Sequence, residues 1–166
     1  MLRISLMGTL AATLLVAACD APIGRSGEAA RAGTDARDAI AARIALGEGT
    51  IVDMRAVTPF RWERLHIFPP RTDEATLRGD LGAEWERAAG RIRSDDRINL
   101  LVFVDTGRVV ASVEQPRGSG DFSLLYRKGG WTPKSAKFRV RRTNATPDGK
   151  LSYVLIRADS IVAQSR

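Results

Sequence analysis

Residues 98–104 read INLLVFV and residues 108–114 read RVVASVE, with Asp105, Thr106 and Gly107 between them. Two apolar segments rich in β-branched residues and joined by a short turn predict an antiparallel hairpin. Gly107 supplies the left-handed backbone that a short bulged turn needs. This hairpin sets the expectation for everything around it.

Downstream, residues 121–127 form a weaker strand candidate. A last pair spans residues 137–142 and 151–157, joined by a turn containing Pro147, Asp148 and Gly149. Upstream, residues 51–57 are a strand candidate interrupted after its end by Pro59, and residues 60–68 (FRWERLHIF) are a second one closed by Pro69 and Pro70. In that second segment, alternation places Trp62, Arg64, His66 and Phe68 on one face and Glu63, Leu65 and Ile67 on the other.

Two helices complete the pattern. Thr34 is placed to cap a helix over residues 35–46, in which Ile40 and Ile44 stand one turn apart. Thr72 or Asp73 caps another, with Leu77, Leu81 and Trp85 at helical spacing, an end near Gly82, and Trp85 and Ile92 packed from less regular structure. The expected fold is α+β: a single mostly antiparallel sheet of five or six strands with two helices packed on one face, one domain over residues 34–166.

The chain has 166 residues, a formal net charge of +7, one cysteine and one histidine. That length suits one compact domain, and the charged fraction of 27% argues against a multi-span membrane protein. One cysteine excludes an internal disulfide and a cysteine-rich zinc site, and one histidine leaves little for a metal centre. No metal and no cofactor are expected.

The N-terminus carries an address. A positive start at Arg3 is followed by an apolar stretch over residues 4–18 that is too short to span a bilayer comfortably. It ends in Val16, Ala17, Ala18 and Cys19, which resembles the lipobox of bacterial lipoproteins. The resemblance implies a signal peptide over residues 1–18, a diacylglyceryl group on the Cys19 sulfur, and commonly an acylated new amine. At roughly 0.8 kcal/mol per buried methylene, two or three acyl chains hold a protein on a membrane. Residues 19–33, rich in Ala, Gly and charge, read as a flexible tether. Asp20 resembles the residue that keeps enteric lipoproteins at the inner membrane, which leans the address from outer to inner membrane. Residues 62–70 (WERLHIFPP) and 100–110 (LLVFVDTGRVV) are similar to patterns in a group of small envelope lipoproteins, a resemblance that implies the periplasmic face of the cell envelope and no chemistry.

Charge is unevenly spread. Residues 127–157 hold nine Lys or Arg against one acid, whereas residues 19–126 hold fifteen basic and seventeen acidic side chains. Within the first of these, Lys137, Arg139 and Arg141 alternate with Phe138 and Val140, so three cations line one strand face. One reading is a solvated face crossed by acids from the first half of the chain. The other is a binding face for an anionic partner such as anionic lipid or a cell-wall polymer, beside the membrane contact made through lipidated Cys19. A protein partner also fits; nucleic acid is not expected outside the cytoplasm, despite the basic composition.

Each catalytic pattern in the chain also has a simpler role. Asp105, Thr106 and Gly107 resemble the signature loop of aspartic proteases, where two aspartates share a proton. Here Arg108 follows, no second copy exists, and a neighbouring guanidinium works against proton sharing, so the turn reading is preferred. His66 has no evident nucleophile to serve. The pairs Asp73 with Glu74 and Asp95 with Asp96 suit helix ends and turns. Gly118, Ser119 and Gly120 are too short for a phosphate loop, and Asn144, Ala145 and Thr146 match a eukaryotic glycosylation sequon. Trp62, Trp85 and Trp131 suit a core, with Trp131 a candidate exposed contact. The expectation is a lipid-anchored, non-catalytic binding or scaffolding module. The alternatives are an inhibitor or immunity-type protein that blocks a partner enzyme with the 105–108 hairpin, and a hydrolase using Asp105 or His66.

Overall fold

The apolar run that begins at residue 98 is buried on both of its faces, and that one fact organises the architecture. In the computed structural model, which describes residues 23–143 and 152–160, the chain runs α1 (Ile23–Ile44), β1 (Ile51–Asp53), α2 (Met54–Val57), β2 (Arg64–Phe68), α3 (Glu74–Leu81), α4 (Trp85–Ala88), β3 (Ile98–Asp105), β4 (Arg108–Pro116), β5 (Lys137–Arg142) and β6 (Tyr153–Arg157). Cys19 and its leader, residues 144–146 and the turn at 147–149 lie outside the described residues.

The α+β class and the antiparallel pairing are as expected; the single sheet is not. Among the described residues there are two three-stranded sheets, in the orders β1-β5-β6 and β2-β3-β4. Every strand pairing is antiparallel. A strand with apolar side chains on both of its faces needs cover on both sides. Leu101 and Phe103 of β3 therefore enter a first core shared with Val52, Phe138, Val140 and Leu155 of the other sheet. Ile98, Leu100 and Val102 enter a second core under α3 and α4, with Leu77, Leu81 and Ala88. The helices accordingly do not share one face: α1 packs into the first core through Ala36, Ile40 and Ile44, and α3 and α4 close the second.

Several local expectations change with this packing. Residues 23–33 are helical rather than a tether, because an Ala-rich segment forms helix readily once Ala32 and Ala36 find a surface to pack on. Thr34 consequently lies inside α1, its hydroxyl donating to the Ala30 carbonyl (3.2 Å) instead of capping. The strand at residue 51 stops after three residues, where the Asp53 carboxylate accepts the Arg55 N–H (3.1 Å) and caps α2. Trp62 lies before β2 and turns into the first core, its indole N–H donating to the Thr58 hydroxyl (2.8 Å). Residues 121–127 are not a strand: a 3-10 turn occupies Ser123–Leu125, and only Asp121 bridges to β6.

Other expectations hold. Asp73 caps α3, accepting the Thr76 N–H at 2.7 Å, and α3 ends at Leu81 with Gly82 beyond it. The 98–114 hairpin forms, but the bulge is not in its turn. Thr106 (φ 49°) and Gly107 (φ 75°) make a two-residue turn, and the register slips instead opposite Phe103 and Val104, leaving Val110 as the extra residue.

Candidate functional site

Three places hold the residues that the sequence singles out. On β5, Phe138 and Val140 enter the core and the cations take the outer face, as alternation requires. The pairing of β1 with β5 sets Asp53 opposite Lys137 and Ile51 opposite Arg139. Lys137 reaches Asp53 at 3.1 Å, while Arg141 and Arg142 share Glu48 at 3.5 and 3.9 Å. Arg139 donates to the Ala158 carbonyl at 3.2 Å. Acids from the first half of the chain do cross this face, but among the described residues two carboxylates serve Lys137, Arg141 and Arg142, and Arg139 has a carbonyl instead.

The second place is the tip of the β3–β4 hairpin. The Thr106 N–H donates to Glu63 (3.3 Å), and Arg61 lies 3.6 Å from Asp105. Asp105 Oδ1 is buried and accepts no hydrogen bond among the described residues. Beside the tip, α1 and the bulged end of β4 enclose a cleft of about 630 Å³ lined by Ala32, Phe60, Val109 and Val110 together with Arg61, Asp105 and Arg108. Asp105 thus has a guanidinium as its nearest charged neighbour rather than a second aspartate.

The third is His66 on β2. It is buried and stacked on Phe68, with ring centroids 6.1 Å apart and planes 8° from parallel. Burial pushes the imidazole below its ordinary range; the Asp80 charge opposes that shift and the Arg64 charge adds to it. Its Nδ1 has no hydrogen-bond partner among the described residues. The loop over it is tied down by Asp80, whose Oδ1 accepts the Gly129 N–H at 3.2 Å.

The remaining candidates take structural roles. Asp73 caps α3, and Glu74 pairs with Arg78 at 2.6 Å. Asp95 accepts the Arg97 N–H at 2.9 Å, and Asp96 pairs with Arg71 at 3.3 Å. Residues 117–119 form a 3-10 turn. Trp131 is buried, not an exposed contact, and its N–H donates to the Leu125 carbonyl at 2.9 Å. Asp121 links the two sheets: its backbone bonds β6, its carboxylate accepts from Asn99 of β3 (3.3 Å), and Arg117 pairs with it at 2.7 Å.

The sequence reading missed Asp80, Glu48 and Asp53 as partners of the singled-out residues. Asp53 and Glu48 meet the β5 cations only because β1 pairs with β5, and no local pattern announces that pairing. Among the described residues no group of three or more His, Cys, Asp or Glu is placed to hold a metal ion, and no helix is long and apolar enough to cross a membrane. Compared with protein-family models, curated proteins and solved structures, the chain matches none of them.

Proposed function

We propose that this chain is a bacterial envelope lipoprotein held on a membrane through Cys19, inner rather than outer, with its α+β body facing the periplasm as a non-catalytic binding or scaffolding module. Its partner is an anionic surface, lipid headgroups or cell-wall polymer, met by Lys137, Arg139 and Arg141. One observation carries the binding role: Lys137, Arg139 and Arg141 line the outer face of β5, and among the described residues they meet two carboxylates there, Asp53 and Glu48, the second shared with Arg142. Exposed ion pairs of this kind contribute at most about 1 kcal/mol each, so an anionic surface displaces them at small cost. Each cation then gains about 1 kcal/mol near that surface. The anchor reading rests on the order of charge, apolar stretch, small residues and cysteine over residues 1–19.

Purified full-length protein tests both halves. Its mass should include a diacylglyceryl group on Cys19; an unmodified sulfhydryl there overturns the anchor. Binding to cell-wall sacculi in detergent, and the preference for anionic over neutral vesicles, should weaken steeply with salt. Replacing Lys137→Glu, Arg139→Glu and Arg141→Glu together should reduce both at least about tenfold with the circular dichroism unchanged. Equal binding by the variant, or indifference to salt, removes the sheet face from the proposal.

A second reading, an inhibitor or immunity-type protein, is supported by the hairpin tip: a two-residue turn braced by Glu63, with Arg108 exposed next to the cleft. Its test is whether a partner hydrolase loses activity with wild-type protein and keeps it with Arg108→Glu.

A further inference from the structure

Of the described residues, three large apolar side chains are exposed, and two of them, Leu124 (72% exposed) and Tyr126 (43%), are neighbours on one loop. The same loop continues through Arg127 and Lys128 to Lys134, and none of these three cations has a carboxylate partner among the described residues. The Arg127 guanidinium instead lies over the Trp131 ring, 5.4 Å from its centroid. Leu124, Tyr126, Arg127, Trp131 and Arg157 line a concavity of about 420 Å³.

The loop is held in shape. Trp131 exchanges two backbone hydrogen bonds with Leu65 of β2, at 2.9 and 2.8 Å, which adds a short rung to the sheet edge. Gly129 (φ 75°) and Gly130 (φ 67°) make the tight return, and a side chain at Gly130 would meet the Leu65 carbonyl at 2.8 Å. A surface already ordered before binding avoids the entropic cost of ordering it in the complex.

We infer that the 124–134 loop is a protein-docking surface whose partner is an acidic segment carrying a bulky apolar side chain. Leu124 and Tyr126 supply the buried centre of such a contact, and Arg127, Lys128 and Lys134 its charged rim. Charge complementarity selects carboxylates on the partner, and the exposed apolar pair selects a polypeptide over a sugar-phosphate polymer, which offers no apolar side chain to bury; a lipid surface, whose acyl region could take Leu124 and Tyr126, is the competing occupant that the test must separate. Position agrees: α1, which follows the Cys19 segment, lies against β4, whereas this loop lies along β2, at the opposite edge of the three-stranded sheet. A body tethered through α1 carries the loop on its far side. The inference deepens the binding-module reading, on which it rests, and does not depend on the basic face of β5.

An array of short synthetic peptides, in which the number of carboxylates and the presence of one Leu, Phe or Tyr vary independently, is probed with full-length protein in detergent. Peptides with both features should bind, and peptides with either alone should bind at least about tenfold more weakly. Leu124→Ser with Tyr126→Ser, and separately Arg127→Glu with Lys128→Glu, should each reduce binding by a similar factor while Trp fluorescence reports an intact fold. Equal binding of acid-only peptides, or no binding by any peptide, overturns the inference. Loss of binding in the Lys137, Arg139 and Arg141 variant with the loop variants unaffected returns recognition to the sheet face and overturns it too. Loop variants that lose anionic-vesicle binding while peptide binding is unchanged would assign the loop to a lipid surface and overturn the inference; sacculus binding by the same variants reports separately on the sheet-face reading.

Discussion

His66 shows how one side chain acquires a property that its neighbours in sequence set only in part. Arg64, near in sequence, adds a lesser push downward and the Phe68 ring stacks on the imidazole, but the burial and the opposing charge come from distant parts of the chain: the loop that turns at Gly130, and Asp80 on α3. A side chain at Gly130 would lie 3.2 Å from the imidazole, so the loop backbone seals that side of it. Burial is the largest influence and depresses the folded-state value below the ordinary 6.5. The unfolded chain then binds the proton more readily than the folded one. Stability is therefore fully present above about pH 6.5 and falls as the pH drops below it, through the folded-state value. Denaturant titrations at a series of pH values should show that decline, and His66→Leu, which leaves no unpartnered nitrogen, should remove it from this window. A wild-type stability that rises on acidification through the window would contradict the assignment.

At the scale of elements, α1 is the clearest departure from local expectation. Its first half is Ala, Gly and charge, a composition that reads as linker when considered alone. What holds it helical is contact with β4, and the closest point is Gly33, where an added Cβ would stand 2.3 Å from the Ser112 carbonyl oxygen. Gly27, in the same helix, has nothing within 4 Å of that position. The two glycines should therefore respond with opposite signs. Gly27→Ala should stabilise by up to about 1 kcal/mol through helix propensity. Gly33→Ala should destabilise by about 1–3 kcal/mol, since the helix must move off the strand. Thermal unfolding of the two variants decides it, and equal shifts would mean that α1 is not seated on β4. The hairpin makes the complementary point: its existence and its Gly107 turn were legible because both depend on a few adjacent residues. The slip at Val110 was not, since it depends on what packs against each side of β4.

For the whole molecule, the decisive feature is that the first core is common to both sheets. Phe138 of β5 packs edge-on against Trp131 (5.2 Å) and Phe122 (6.1 Å), and both belong to the segment that joins the two sheets. The first core stays closed only while both sheets are in place, although the second, under α3 and α4, draws on one sheet alone. Phe138→Ala should cost about 3–5 kcal/mol. Circular dichroism and Trp fluorescence should still report one coincident transition. Two separated transitions would show that the sheets unfold as independent units. The same architecture explains why the basic face is only partly neutralised. Asp53 and Glu48 arrive with β1 and the turn before it, and a strand of three residues delivers few acids to a strand rich in cations.

By itself the sequence determined what nearest neighbours determine: the alternation that turns Phe138 and Val140 inward and Lys137, Arg139 and Arg141 outward, a helix cap at Thr72 or Asp73, the left-handed Gly107 turn and the lipobox-like order ahead of Cys19. Only the tertiary structure decided that there are two sheets, that residues 23–33 are helix, that Trp131 is buried, and which acids meet which cations. The physical reason is range. Caps, turns and alternation are set by backbone sterics and hydrogen bonds over a few residues. Strand pairing is chosen by how the apolar surface of β3, exposed on two sides, is best covered by segments distant along the chain.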